Sequence, residues 1–425
     1  MQRLDVRNGQ PLELPRPKLD IAAAISAVRP LIEDVAERGD EALLEQAERF
    51  DSVRPTAIAV PANVIEAARA ELDPALEKAM RTAIAHARIG HEAQMPRQTT
   101  IEVIEGGSIT QRWIPARRVG LYVPGGLAVY PSSVIMNAVA AQVAGCSSIA
   151  LTSPAQEAFG GWPHPTILAA CSLLGITEVY AAGGAGAIAM FAYGTSSCEP
   201  VDIITGPGNI YVAAAKRAVL GLVGIDSEAG TTEIAILADD SANPRYVAAD
   251  LLSQAEHDPA AASVLVTDSP DLADRVEAEL AQLTAATKHA ARCAEALGGP
   301  QSGIVLVADL DQGIDVINAY GPEHLEIHTR NLESVADKIR NAGAIFLGPH
   351  TPVPLGDYLA GSNHVLPTGG TARFASGLGV QTFLKSVQQV HYTAEALGQL
   401  TEQLDTFARA EDLPAHGEAA RIRTP

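Results

Sequence analysis

Short apolar runs alternate with amphipathic stretches through the middle of the chain: Val119–Val123, Ser148–Thr152, Glu178–Ala182, Asp202–Thr205, Glu233–Ala238, Ser263–Thr267, Ile304–Ala308 and Ala344–Leu347. Such runs, divided by segments of helical period, predict strands alternating with helices, and so a mostly parallel sheet covered on both faces. Ahead of them, from about Ile21 to Gln94, the pattern is helical, with Val64, Ala68, Leu72, Leu76, Met80 and Ile84 lining one face. After about Phe383 no further strand is expected. Ser386–Arg409 reads as a helix with Leu397, Leu400, Leu404 and Phe407 on one side, an appendage suited to oligomerisation. Eight strands suit one barrel or two smaller open sheets, and periodicity does not separate these. Loops that open helices, Gly183-Gly184-Ala185-Gly186 and Gly206-Pro207-Gly208-Asn209, favour two open α/β units with crevices at the strand ends.

The length of 425 residues fits two or three packed units. Lysine and arginine number 30 against 50 aspartates and glutamates, a net charge of −20, so neither nucleic acid nor an anionic membrane is an expected partner. No apolar stretch approaches the roughly 18 residues of a membrane span, and the first residues lack a signal-peptide apolar region, so a cytoplasmic enzyme is expected. Cys146, Cys171, Cys198 and Cys293 are too widely spaced for a thiolate zinc site or a disulfide scaffold. A metal here needs nitrogen and oxygen ligands.

Several motifs supply such groups. Gln254 and His257 stand three apart in a helical pattern, on one face, where both can reach a cation. Asp357 and His364 lie in a glycine-broken loop, and His416 adds an imidazole near the C-terminus. Glu323-His324 places two proton acceptors of different basicity after a proline, as the oxidation of an alcohol requires. Gly184-Ala-Gly186-Ala-Ile-Ala189 has the spacing of a dinucleotide fingerprint, with Asp202 near the position of a ribose-binding acid, and Asn209 stands at a helix start. Each motif alone is equally an ordinary turn, cap or solvated face.

Together they are more specific. Val-Gly-Leu-Tyr-Val-Pro-Gly-Gly (119–126), Tyr-Pro-Ser-Ser-Val-Ile-Met-Asn (130–137), Gly-Pro-Gly-Asn-Ile-Tyr-Val (206–212), Ser-Gln-Ala-Glu-His-Asp (253–258), Pro-Glu-His-Leu-Glu (322–326) and Gly-Asp-Tyr-Leu-Ala-Gly-Ser-Asn-His-Val-Leu-Pro-Thr (356–368) occur in this order. The chain resembles the histidinol dehydrogenases over nearly its whole length, from about Arg3 to Arg421. The resemblance implies two incomplete Rossmann-like open α/β domains with small helical extensions. An N-terminal extension would cover 1–24, a first domain 25–114 plus 235–382, a second domain 115–234, and a C-terminal arm crossing to a partner subunit 383–425. It implies a homodimer with shared active sites, one Zn²⁺ per subunit held by Gln254, His257, Asp357 and His416, and NAD contacted near Tyr122, Gly186 and Asn209. Glu323 and His324 would be catalytic. Ser132, Thr232, His364 and Glu411 would join the zinc ligands and His324 in holding the substrate, L-histidinol.

Two positions depart from the family pattern. Gly186 stands where many members carry a glutamine, leaving only backbone for a dinucleotide contact, and Thr231-Thr232-Glu233 replaces the usual Pro-Ser-Glu while keeping a hydroxyl at 232. The implied reaction is two successive oxidations, histidinol to aldehyde to histidine, each reducing one NAD⁺. Zinc would position the substrate, His324 would take the alcohol proton, and Glu323 would activate the water that hydrates the aldehyde. A zinc hydrolase without NAD reduction and a catalytically silent relative are the competing readings.

Overall fold

Strand β1 (Gln2–Asp5) opens the chain, and four helices follow: α1 (Ile21–Arg38), α2 (Asp40–Asp51), α3 (Ala62–Ala70) and α4 (Pro74–Ala93). The computed structural model describes residues 1–9, 16, 20–125, 129–227 and 230–423; Gly126 of the Val119–Gly126 stretch lies outside the described residues. The long helical pattern is broken for identifiable reasons. Gly39 turns the chain at φ 59° between α1 and α2. The Asp73 carboxylate caps the Ala75 and Leu76 amides at 2.9 and 3.0 Å while Pro74 occupies the first turn, where its missing N–H costs nothing. Leu72 therefore sits in a turn, and the face expected from Val64 to Ile84 is split between two helices.

A hairpin of β2 (Thr99–Ile104) and β3 (Gly107–Pro115) leads into β4 (Arg118–Tyr122), α5 (Pro131–Ala144), β5 (Ser148–Ser153), α6 (Pro165–Leu173), β6 (Glu178–Ala181), α7 (Gly184–Tyr193), β7 (Ile203–Thr205), α8 (Ile210–Val219) and β8 (Gly224–Ile225). These strands form an all-parallel sheet in the order β6-β5-β4-β7-β8. Next come β9 (Glu233–Ala238), α9 (Pro244–Ala255), β10 (Ala262–Thr267), α10 (Pro270–Ala286), α11 (Ala290–Gly298), β11 (Gly303–Leu306), α12 (Leu310–Tyr320), β12 (His324–His328), α13 (Leu332–Ala336), β13 (Ala344–Leu347) and α14 (Val353–Tyr358). They build a second parallel sheet, β1-β11-β10-β9-β12-β13. Two separate open sheets, rather than one barrel, are the architecture, and every expected strand run is a strand within a residue or two.

The grouping of segments differs from the one expected. Val28, Ile32, Val35 and Leu43 share a core with Tyr180, Ile188 and Phe191, and Ile65, Met80 and Ala83 share one with Val134, Leu151 and Ile167. The helices of 21–93 thus cover the five-stranded sheet, whereas the expectation attached 25–114 to the 235–382 unit. The N-terminal piece is likewise part of the fold, since β1 is an edge strand of the six-stranded sheet.

The C-terminal segment also differs. Residues expected to be helical from Ser386 form β14 (Leu384–Tyr392), which pairs antiparallel with β3 to make a three-stranded sheet, β14-β3-β2. The helix starts later, as α15 (Ala394–Ala410), once the Thr393 hydroxyl can accept the Ala396 amide at 3.2 Å, and α16 (Pro414–Arg421) follows. Phe407 is 72 % exposed, so the apolar side of α15 lacks full cover from its own chain. Among the described residues no helix is long and apolar enough to cross a membrane.

Candidate active site

A cavity of about 450 Å³ lies where the carboxyl ends of β4 and β7 face the amino ends of β9 and β12. From the five-stranded side come Pro124, Ser132 and the loop Pro207–Asn209; from the six-stranded side come Thr232, His257, Glu323, His324, Asp357 and His364. Gly206 makes the first loop possible. Its φ is 117°, a conformation that disfavours side chains, and a Cβ there would collide with the Tyr122 carbonyl. Its N–H donates to Asp226 Oδ2 at 2.8 Å and its carbonyl accepts from Lys216 Nζ at 3.1 Å, and Lys216 and Asp226 are themselves a buried ion pair. Asn209 then caps α8, accepting the Tyr211 and Val212 amides at 3.0 and 3.2 Å.

The opposite wall is a chain of hydrogen bonds. Gln254 Nε2 donates to Thr232 Oγ1 at 2.7 Å, and Thr232 Oγ1 donates to Glu323 Oε2 at 2.7 Å, which also accepts the Glu233 amide at 3.0 Å. Burial nevertheless pushes the Glu323 carboxyl up to about 8, against these hydrogen bonds and with repulsion from Glu233 and Asp357 adding to it. Next to it, His324 Nδ1 lies 3.2 Å from the Glu233 carbonyl, which can only accept, so Nδ1 carries the proton. That leaves Nε2 as the basic nitrogen. It is buried without a hydrogen-bond partner, 4.0 Å from Asp357 Oδ1. Burial lowers the His324 pKa and keeps the ring neutral. The arrangement can remove a proton at one atom and hold another on its neighbour.

The donor set also fits a metal ion. His257 Nδ1 faces the carbonyls of Ser253 and Gln254 at 3.1 and 3.3 Å, the backbone contact that fixes the tautomer of a ligating imidazole and leaves Nε2 available. The Gln254 amide nitrogen is engaged by Thr232, so its carbonyl oxygen is the free donor. Asp357 is half-buried beside His324 and His257, and desolvation raises its pKa, a penalty that a bound cation relieves. His257 and Asp357 line the cavity, and Gln254 lies buried behind Thr232 in the same wall; nitrogen and oxygen donors of this kind suit Zn²⁺. α9 ends at Ala255, so His257 stands in the turn beyond the helix rather than on its face. His364 completes this wall, with Nδ1 donating to the Asp357 carbonyl at 3.1 Å and Nε2 3.3 Å from Ser133 Oγ. Burial lowers it to about 4.

Other expected residues are placed elsewhere. Tyr122 is buried at the end of β4, its hydroxyl accepting the Gly184 amide at 3.3 Å. Gly186 is enclosed in α7, where a Cβ would come within 2.5 Å of Gln46 Oε1 and 3.1 Å of Leu43, so α2 fills the space that a side chain at 186 would need. Neither lines the cavity. The Asp202 carboxylate accepts the Arg117 and Arg118 amides at 2.9 and 3.0 Å, a structural role in place of the ribose contact weighed from spacing. Glu411 and His416 are exposed on the C-terminal helices and do not line the cavity of their own chain.

Tyr130, Asp258 and Tyr358, which line the cavity, were not singled out in the sequence, although all three fall inside or beside the motifs. Nor was the buried trio Asp250, Glu326 and His328, whose polar atoms lie within 4.8 Å of one another. The pattern of β12 carried the signal for two of them, since polar residues at 324, 326 and 328 share one face of the strand.

The model of the family described as histidinol dehydrogenase matches residues 14–424. The chain is 61 % identical to a histidinol dehydrogenase of Thermobifida fusca, over 100 % of this chain and 98 % of the relative. It is 59 % identical to one of Streptomyces avermitilis, over 96 % and 93 %. A crystal structure of histidinol dehydrogenase from Elizabethkingia anophelis superposes with a TM-score of 0.92 at 33 % identity, covering 100 % of this chain and 98 % of that one.

Proposed function

Because the chain belongs to the histidinol dehydrogenase family of NAD-dependent oxidoreductases in histidine biosynthesis, we propose that the cavity between its two sheets oxidises L-histidinol to L-histidine through the bound aldehyde. The observation that carries this assignment is the His324 ring, its Nδ1 proton tied to the Glu233 carbonyl on the side of Glu323, and its Nε2 buried, without a hydrogen-bond partner and facing Asp357 at 4.0 Å. NAD supplies the hydride acceptor, while zinc, held by Gln254, His257, Asp357 and a His416 from a second subunit, would fix the substrate's imidazole and amino nitrogens.

His324 Nε2 takes the hydroxyl proton of histidinol as the alcohol carbon gives up hydride. Glu323 takes a proton from the water that adds to the aldehyde, and its raised pKa matches it to work near neutral pH. Thr232 orients that carboxylate through its 2.7 Å hydrogen bond. Ser132 and His364 bind substrate from the cavity wall, and Glu411 does so from a partner's arm in a homodimer with shared sites. Asn209, on the cavity wall, flanks the dinucleotide.

Purified protein given histidinol and NAD⁺ is expected to form two NADH per histidinol, to lose this activity with its zinc on chelation, and to regain it on zinc addition. Zinc-dependent turnover with no rise in NADH absorbance would replace this assignment with a hydrolase.

A further inference from the structure

Asp250, Glu326 and His328 form a buried polar cluster; the residues are 8 %, 0 % and 5 % exposed. None of them reaches the cavity. Such a group is costly to bury, since each polar atom must find a partner. Here the partners belong to three different elements. Asp250 comes from α9, Glu326 and His328 from β12, and one Glu326 oxygen leaves the trio to accept the Val353 amide of α14 at 2.9 Å. The other faces His328 Nε2 at 3.2 Å.

Each of those elements also carries a residue of the active site. On α9, Gln254 lies one turn after Asp250 and so on the same side of the helix. On β12, His324 lies two residues before Glu326, on the same face of the strand. On α14, Asp357 is the residue that faces His324. The short helix α14 has Pro352 at its N-cap position, with no side-chain cap of its own. Glu326 supplies the missing acceptor from a neighbouring strand. The fit beyond that is tight: a Cβ at Gly356 would run into the Phe346 ring, and Phe346 in turn lies 6.1 Å, centroid to centroid, from His324.

We propose that Glu326 is a positioning residue of the catalytic site, tying the amino end of α14 to β12 so that Asp357 is held opposite His324 and within reach of the cation shared with Gln254 and His257. The inference rests on the reading of Asp357 as a zinc ligand. What the position requires is an acceptor at the end of a side chain of glutamate length; negative charge is not the essential property.

The test compares Glu326→Gln, Glu326→Asp and Glu326→Ala by chelator competition for zinc in the purified full-length protein, with KM and kcat for histidinol measured alongside. Glutamine keeps both reach and acceptor and should hold zinc like the parent protein. Aspartate keeps the charge but is one methylene too short to reach Val353, and should fail together with alanine, weakening zinc binding on the order of 10 to 100-fold, as loss of outer-sphere partners does. Zinc affinity unchanged in the aspartate variant, or lost in all three alike, overturns the positioning role. If alanine does not fold, the glutamine and aspartate pair still decides. Asp357→Asn is run in parallel: if it binds zinc as the parent does, the ligand assignment itself falls and this inference with it. Weak zinc in Asp357→Asn beside normal zinc in Glu326→Asp refutes the positioning role alone.

Discussion

The two parallel sheets meet the cavity with opposite ends. The five-stranded sheet offers its carboxyl edge, where β4 and β7 run into Pro124 and the Gly206–Asn209 loop; the six-stranded sheet offers its amino edge, where β9 and β12 begin at Glu233 and His324. Both interiors hold charge, the first in the Lys216–Asp226 pair beneath its loop and in Arg118, but they differ in its amount and kind. Helix α7 of the first is Gly-Ala-Gly-Ala-Ile-Ala-Met-Phe-Ala-Tyr, without a charge, and Gly120 lets Phe191 lie so close that a Cβ would come within 2.6 Å of it. The second buries Glu233, Asp250, Glu326 and His328. Carboxyl-edge loops of small residues present backbone to a ligand that must enter and leave, which suits a dinucleotide. Amino-edge side chains, held by strand hydrogen bonds and by one another, suit proton transfer, where displacement of an acceptor by an ångström costs rate. On the proposed function, one unit would supply the surface and the other the chemistry.

The largest effect should come from the acceptor side. Glu323→Gln is expected to slow aldehyde oxidation by roughly 10² to 10⁴ while alcohol oxidation, for which His324 is the proposed acceptor, suffers much less. NADH formation from histidinol and from histidinaldehyde, followed separately, checks this, and equal damage to both halves would remove the division of labour between the two acceptors. The next largest belongs to the loop side. Gly206→Ala forces a side chain into a φ of 117° and against the Tyr122 carbonyl, a strain of about 1 to 3 kcal/mol or more. It should lower the melting temperature and raise the KM for NAD⁺ with little change in zinc content. Zinc loss in this variant would show that the two sides are not separable.

The smallest effect sharpens the contrast of interiors through pH. Burial raises Asp250 to about 8, with Glu326 adding to it, and Glu326 to about 7. Both bind protons more tightly folded than unfolded, so their contribution to stability is fully present below the ordinary carboxylate range near about 4 and is lost as pH rises through about 7 and 8. His328, facing them, is lowered by burial and acts only on the acid side. Asp250→Asn should flatten the decline in denaturation midpoint between about pH 5 and 9. An unchanged slope would place the pH sensitivity outside this cluster.

Much of the fold was legible because its strands are buried on both faces and read as unbroken apolar runs, as in Ile234–Ala238 or Val264–Thr267. β12 was not, since His324, Glu326 and His328 put polar groups where the rule expects apolar ones, the partner of the last two, Asp250, being 76 and 78 positions away on α9. β14 escaped for the opposite reason: it is mostly exposed, and pairing with β3 rather than burial defines it. Within the site, the motifs named Gln254, His257, Glu323, His324, Asp357 and His364, but spacing could not bring together positions separated by about a hundred residues, nor show that Glu411 and His416 stand apart from the cavity of their own chain. The short-range grammar of caps and turns is visible in a linear chain. The convergence of loops from two sheets is not.

Thr232 stands where the family pattern has serine, between Gln254 and Glu323 in the line of hydrogen bonds along the cavity wall. A serine hydroxyl at this position could swing among three rotational wells, and each turnover would have to find the right one again. The extra methyl of threonine stiffens that rotation, so the hydroxyl is aimed at Glu323 before any ligand arrives. Its accuracy is set by the shape of one side chain rather than by the substrate's grip, and the entropy of aiming, a fraction of a kcal/mol, is lost when the chain folds rather than at each encounter with histidinol.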